Sequence, residues 1–216
     1  MADPEPVRFD PIEAAVAAIR QGGMVVVVDD EDRENEGDLI LAAERVTPQA
    51  VNFIERYGRG LLCVPLSRQR LAELHIPLID RAGGDRFRTA YTVPVDTIGG
   101  ITTGISASDR AVTIRRLADP ESTSRDFVHG GHVQPLGAVD GGVLRRAGHT
   151  EAAIDLTHLA GLRPAAVLCE IKSDDGEMMR LADLRKFADE HGLLLISIAD
   201  LIQHRRRHEL LVQRVA

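Results

Sequence analysis

Residues Met24-Val25-Val26-Val27-Val28 form an apolar, β-branched run that opens after Gly22-Gly23 and stops in an acidic decapeptide, Asp29 to Asp38 (DDEDRENEGD). The next residues, Leu39-Ile40-Leu41-Ala42-Ala43, are apolar again. Such short runs read as buried strands, so the chain must fold with a carboxylate-rich loop pinned between two core elements. Packing like charges together there costs stability unless something positive binds them. Hard oxygen ligands with one interleaved guanidinium, Arg33, suit a divalent cation such as Mg²⁺ and a phosphorylated ligand. A solvated acidic loop is the alternative, and the flanking strands argue against it.

At 216 residues, 44% hydrophobic and 27% charged, the chain is long enough for one ordinary domain with a sizeable core. No apolar run approaches membrane-spanning length, and MADPEPVRFD carries no secretory signal pattern. A net charge of −7 argues against nucleic acid as a partner. HRRRH at 204–208 is the single basic cluster and reads as a solvated helix end. Cys63 and Cys169 lie inside apolar segments with no zinc spacing, so reduced thiols in a cytoplasmic protein are expected.

Apolar spacing predicts a helix through Ile12, Ala15, Val16 and Ile19, closed by Gly22-Gly23. Thr47-Pro48 reads as an N-cap with Pro at the first helical position, opening a helix to about Tyr57. A strand over Leu61–Leu66 and a short helix to Leu74 follow. Residues 75–86 carry turn chemistry and should be a mobile loop; Phe87 to Val95 alternates like a strand. Asp109–Leu117 should be helical and 119–142 mostly irregular. Thr150 should cap a helix to Leu159, before a buried strand over Ala165–Ile171 and a turn at Asp175-Gly176. A helix over 182–190, a strand over 193–198 and a last helix from about Asp200 complete the pattern. With no linker and no internal repeat, the expectation is α/β (α+β): a single domain, residues 12–208, with a mixed sheet flanked by helices. Residues 1–11 and 209–216 are expected as tails.

Three further groups carry chemistry. Arg145-Arg146-Ala147-Gly148-His149-Thr150 leads into a helix. There free N–H groups, a close backbone at Gly148, the Thr150 hydroxyl and the Arg146 fork could bind phosphate. His149 beside them could bind metal; an ordinary helix start is the equal alternative. Thr102 to Ser108 could bind an oxyanion or be a plain capped turn. Glu170 ends a strand, where α/β proteins place ligand crevices, and could work as acid or base. His132, in a Gly-rich loop, is weaker by itself.

DDEDRENEGDL, TTGISASDR, GGVLRRAGHTEAAIDL and AAVLCEI, in this order, resemble 3,4-dihydroxy-2-butanone-4-phosphate synthase of riboflavin biosynthesis, over about residues 12–208. The resemblance implies a Mg²⁺-dependent (or Mn²⁺-dependent) lyase that converts D-ribulose 5-phosphate to L-3,4-dihydroxy-2-butanone 4-phosphate and formate. It also implies a homodimer with sites near the subunit interface. By position it implies Glu34 and His149 as metal ligands. Arg33, Glu34, Asp38, Arg146, Ala147, Gly148, His149, Thr150 and Glu170 are the implied substrate contacts, and His132 and Glu170 the catalytic residues. The chain departs from the family where it reads His129-Gly130-Gly131-His132 in place of the usual Arg-Pro-Gly-His, and where Pro94 replaces a common Ser. Restoring proline at Gly130 is expected to keep or raise turnover if φ there is near −65° and the N–H is unpaired. Protonated His129 is expected to stand in for the missing Arg. Many relatives carry a C-terminal GTP cyclohydrolase II domain that the 216 residues do not include, so a monofunctional or a truncated bifunctional protein is expected. A related enzyme rearranging another sugar phosphate, and a non-catalytic partner in a pathway assembly, are the competing readings.

Overall fold

The four valines at 25–28 are buried on both faces, and that continuous burial defines the middle of the molecule. The structure, a computed structural model, describes residues 7–79 and 87–209. Strand β1 (Val25–Val28) pairs antiparallel with β2 (Gly37–Ala42) and parallel with β9 (Leu194–Ser197). On the far side of β2 lies β8 (Ala166–Glu170), followed by β3 (Cys63–Ser67), β7 (Gln134–Ala138) and the two-residue β4 (Ala90–Tyr91). The seven strands form one mixed sheet in the order β4-β7-β3-β8-β2-β1-β9. A separate two-stranded sheet pairs β5 (Val95–Thr97) with β6 (Phe127–His129).

Because side chains alternate across a strand, the sheet divides its residues between two cores. Val26, Leu39, Val64 and Val167 point into one core, covered by α2 (Pro48–Phe53), α3 (Arg68–Glu73), α4 (Ala107–Ala118) and α6 (Leu181–His191). Val25, Ile40, Cys63 and Leu168 point into the other, covered by α1 (Ile12–Arg20), α5 (His149–Leu159) and α7 (Ile198–His208). Thr47 accepts the Ala50 N–H and Pro48 opens α2 as its spacing requires. Gly192 (φ 64°) closes α6, where a left-handed residue ends a helix without a Cβ penalty.

Several elements differ from expectation. Phe87–Val95 is not one strand: Arg88 turns at φ 57°, Pro94 has no N–H to donate, and the segment divides between the edge of the main sheet and the small sheet. Residues 119–142, expected as irregular, contain β6 and β7, and β7 is an interior strand of the main sheet. Its Pro135 and Gly137 hid it, yet Gly137 is where the backbone packs close, with a would-be Cβ 3.3 Å from Leu71 and 3.4 Å from Ala90. The helix after Thr47 ends in a π-helical turn, Ile54–Gly58, before Arg59 reverses at φ 67°. Helix α5 begins at His149, with Gly148 and not Thr150 as its N-cap.

Residues 7–11 are not a loose tail. Val7 and Phe9 pack on the first core, the Asp10 N–H donates to the Leu195 carbonyl, and the Asp10 carboxylate pairs with Arg185 at 2.8 Å. In the expected mobile loop, 75–79 are anchored: Ile76 is buried and the Ile79 N–H donates to the Tyr91 carbonyl; 80–86 lie outside the described residues. Of the expected tails, 1–6 and 210–216 likewise lie outside them, and Glu209 is held by Arg205.

Candidate active site

The acidic loop closes on its own first residue. Asp29 Oδ1 accepts the Glu36 N–H at 2.9 Å, and Oδ2 accepts the Glu34 N–H at 3.2 Å and the Arg33 guanidinium at 2.6 Å. An Asp that satisfies the N–H groups of the loop after it is turn chemistry, and it aims the following side chains inward. Beyond the loop, Asp38 enters β2 directly opposite Glu170 of β8. Both lie on the sheet face shared with Ile40 and Leu168, the face that α5 covers. The N-terminus of α5 therefore meets these carboxylates, and His149, its first residue, stands between Glu34 and Asp38.

One small cleft gathers Arg33, Glu34, Asp38, Arg146, His149, Thr150 and Glu170, with Glu36, Cys63 and Tyr91 on its walls. His149 Nδ1 lies 3.6 Å from Glu34 Oε2, and Nε2 lies 4.0 Å from Asp38 Oδ1. Both residues of this pair are buried, at 6% exposure for His149 and 2% for Asp38. Among the described residues, Asp38 Oδ1 and His149 Nε2 have no hydrogen-bond partner. Burial pushes the Asp38 carboxyl up to about 8, against the pull of His149 and with Glu170, Glu34 and Glu36 adding to the rise. Burial works against a charged His149, but Asp38, Glu34 and Asp29 outweigh it and lift the imidazole to about 9. Glu36 is raised by burial and by the neighbouring Glu34 and Glu170 charges. Burial would raise Glu34 too, but His149 and Arg33 hold it below its ordinary value.

Unpaired, buried polar atoms of opposite character are costly, and a cation ligated by the carboxylate and a neutral imidazole would offset that cost. Donor atoms of Asp29, Glu34 and His149 lie within 4.8 Å of one another. Both Asp29 oxygens are already taken by Arg33 and two backbone N–H groups, so the donor set open to an ion is Glu34 and His149 with Asp38 behind. That set of carboxylate oxygens and one imidazole fits a hard divalent cation with positions left for a ligand.

The other end of the cleft is positive. A Cβ on Gly148 would collide with the Arg146 guanidinium and lie 2.9 Å from that of Arg33, so only glycine lets the backbone sit beneath both. The first helical bond of α5 is Ala152 N–H to Gly148 O, which leaves the preceding N–H groups of the first turn to face the cleft. Arg33 lies over the Phe87 ring at 5.2 Å and also pairs with Glu34. Arg146 is held by Glu151 at 2.5 Å, by two bonds to the Phe87 carbonyl and by one to Thr89 Oγ1. Two guanidiniums and a helix N-terminus make an anion corner. Glu170 Oε2 accepts the Leu61 N–H at 2.7 Å. Gly60 allows that approach, since a Cβ there would strike the Glu170 carboxylate. The π-helical turn delivers Gly60 to this position.

His132 does not join this group. Its ring Nδ1 bonds Asp96 Oδ2 at 2.7 Å and its backbone N–H donates to Asp96 Oδ1 at 2.9 Å, on the small sheet. Its side chain is exposed at 40% and does not line the cleft of its own chain. Ala147 is exposed and contributes no side-chain contact there. Thr102–Ser108 is a closed capped turn: Asp109 accepts from the Thr102 N–H and hydroxyl and the Gly104 N–H, and Ser106 caps α4. Gly130 has φ 83° and donates its N–H to the Pro94 carbonyl at 2.8 Å, so the expected benefit of proline there is overturned on both counts. Asp29, Glu36, Asp96 and Glu151 were not singled out in the sequence. For Asp29 the signal was there, an Asp placed where a strand gives way to a loop. For Glu151, buried at 1% exposure, only the packing shows that it braces Arg146 and the Val139 N–H.

Mixed sheet, carboxylate–imidazole pair and anion corner together define an α/β enzyme with an acid-rich cleft. The family model for 3,4-dihydroxy-2-butanone 4-phosphate synthase matches residues 13–204, and the chain belongs to that family. It is 61% identical over 211 residues to the riboflavin biosynthesis protein RibBA of Mycobacteroides abscessus, covering 97% of this chain and 51% of that protein. The chain thus spans about half the length of such curated relatives. The crystal structure of 3,4-dihydroxy-2-butanone 4-phosphate synthase of Candida albicans superposes with a TM-score of 0.84 at 49% identity, covering 92% of this chain and 98% of that one. A synthase solved in complex with two magnesium ions superposes at 0.88 with 43% identity, covering 93% and 98%. Among the described residues no helix is long and apolar enough to cross a membrane.

Proposed function

We propose that residues 12–208 form a catalytic domain converting D-ribulose 5-phosphate to L-3,4-dihydroxy-2-butanone 4-phosphate and formate with Mg²⁺ or Mn²⁺. The observation that carries this reading is the orphaned pair Asp38 Oδ1 and His149 Nε2 beside Glu34, facing an anion corner across one cleft. Glu34 and His149 are the proposed metal ligands. A divalent cation held there would supply positive charge against substrate oxygens that become negative on loss of a carbon-bound proton. Arg33, Arg146 and the α5 N-terminus at Ala147–Thr150 hold the phosphate, which fixes the sugar with its reacting carbons toward the carboxylates. Glu170, fixed by the Leu61 N–H, and Asp38 opposite it are placed to take and return protons at those carbons. Loss of water, the carbon-skeleton shift and formate release then proceed in a cleft walled by Cys63, Leu136 and Leu168.

His132 is the proposed second proton carrier, with Asp96 orienting its ring. Since it lies outside its own cleft, it serves the cleft of a second copy, which requires a homodimer. Val128 in β6 (48% exposed) and Ile98 directly after β5 (57%) support this, being large apolar side chains left open at the small sheet. The two free, buried thiols support a cytoplasmic location. The test is formate release from ribulose 5-phosphate by this chain: present with Mg²⁺, absent with EDTA, and restored by excess Mg²⁺. No formate under any metal would sink the reading.

A further inference from the structure

The HRRRH segment at 204–208 is not only a solvated helix end. His204 and His208 stand one turn apart on α7 with their rings 4.3 Å apart and 31° from parallel. Glu13, in the first turn of α1, places Oε1 3.2 Å from His204 Nδ1. His208 Nδ1 lies 2.8 Å from the His204 carbonyl. Donation there fixes the proton on Nδ1 and leaves Nε2 as a lone-pair donor, the backbone-oriented imidazole common in metal sites. One donor atom from each of the three residues lies within 4.8 Å of the other two.

Two of the three intervening arginines turn away from the position. Arg205 turns inward to Asp155 at 2.8 Å, to Glu209 and to the Gly141 carbonyl. Arg207 reaches back to Gln203 at 3.3 Å. Glu13 and His208 are exposed, so an ion has open access.

We propose that Glu13, His204 and His208 form a surface site for a borderline divalent cation, Zn²⁺ by first choice, linking α1 to the last turns of α7. Two imidazoles and one carboxylate favour such an ion over Mg²⁺, and three protein ligands leave a position for water. The site stands apart from the acidic cleft, whose oxygen-rich donors serve a harder ion.

The experiment uses the full chain carrying Glu34→Gln and His149→Ala, so that the cleft no longer competes for zinc. Equilibrium dialysis against Zn²⁺ with metal analysis should find one equivalent retained. Adding His204→Ala or His208→Ala should weaken retention by about tenfold or more, and Glu13→Gln should weaken it in the same direction. In the same cleft variant, zinc should raise Tm and His204→Ala should remove that rise; in the otherwise unaltered protein, His204→Ala should leave Mg²⁺-dependent turnover unchanged. Circular dichroism spectra matching the parent confirm that each variant is folded. No zinc retained by the cleft variant, or retention unchanged once both histidines are gone, overturns the proposal.

Discussion

Asp38 Oδ1 and His149 Nε2 lie 4.0 Å apart in the buried floor of the cleft, and neither has a hydrogen-bond partner among the described residues. Asp38 arrives from a sheet strand and His149 from the first turn of α5, two elements that are remote in sequence. A carboxylate and an imidazole held this close, yet unbonded, leave room for an ion between or beside them.

Removing either proposed metal ligand should abolish most turnover without unfolding the chain. Glu34→Gln and His149→Ala are each expected to lower kcat by about 10²–10³-fold, the scale of one lost electrostatic contact to developing charge. Formate release and circular dichroism measured together check this; activity retained in either variant would place the metal elsewhere.

Stability of the metal-free protein should fall as pH rises from about 4, the ordinary value of Asp38, through about 9. Both Asp38 and His149 have folded values raised above their unfolded ones, to about 8 and about 9. The folded state therefore binds more protons than the unfolded chain, and that contribution is complete at low pH and lost on the way up. Urea unfolding in EDTA at a series of pH values reads the slope. Asp38→Asn should flatten it, because it removes one titrating group and the carboxylate that raises the other.

Gly148→Ala should raise KM for the phosphorylated substrate by about 10–100-fold, the equivalent of one lost charge-assisted hydrogen bond. The added Cβ meets the Arg146 guanidinium and crowds that of Arg33, so the anion corner must open. Steady-state kinetics decide it: an unchanged KM with reduced kcat would move these arginines to the reacting carbons.

His132→Asn should lower kcat by about 10²–10⁴-fold while substrate still binds. Asp96→Asn should lower it less, since it disturbs ring orientation only. Mixing the His132→Asn chain with the Glu34→Gln chain should restore activity in heterodimers that own one intact composite cleft. Failure to complement would confine His132 to its own chain.

Gly130→Pro should destabilise the fold by about 1–3 kcal/mol, the cost of forcing a residue out of its backbone region. The position has φ 83° and its N–H is bonded to Pro94, neither of which proline can reproduce. A denaturation midpoint equal to the parent's would show that this loop can be rebuilt at no cost.

Much of this architecture can be read from local pattern. β1, β2 and β8 announce themselves because strands buried on both faces need unbroken apolar runs. α1 and α6 do so because their apolar residues keep helical spacing and glycines follow them. The acidic loop and the Arg-Ala-Gly-His-Thr segment are short, contiguous and chemically distinctive, so Glu34, Asp38, Arg146 and His149 stood out before any coordinates. Tertiary structure alone decided the rest. β7 is an interior strand although Pro135 and Gly137 argue against one, because its neighbours β3 and β4 supply the pairing and Leu71 of α3 and Ala90 of β4 pack close over Gly137. Register across β2 and β8 set Asp38 opposite Glu170, a relation between residues 132 positions apart that no local pattern encodes. Packing of α5 chose Gly148 over Thr150 as the cap and buried Glu151 under Arg146. It was also the fold that kept His132 out of its own cleft. Local sequence specifies which groups are chemically able; long-range pairing and burial specify which of them meet, because those energies depend on partners distant in the chain.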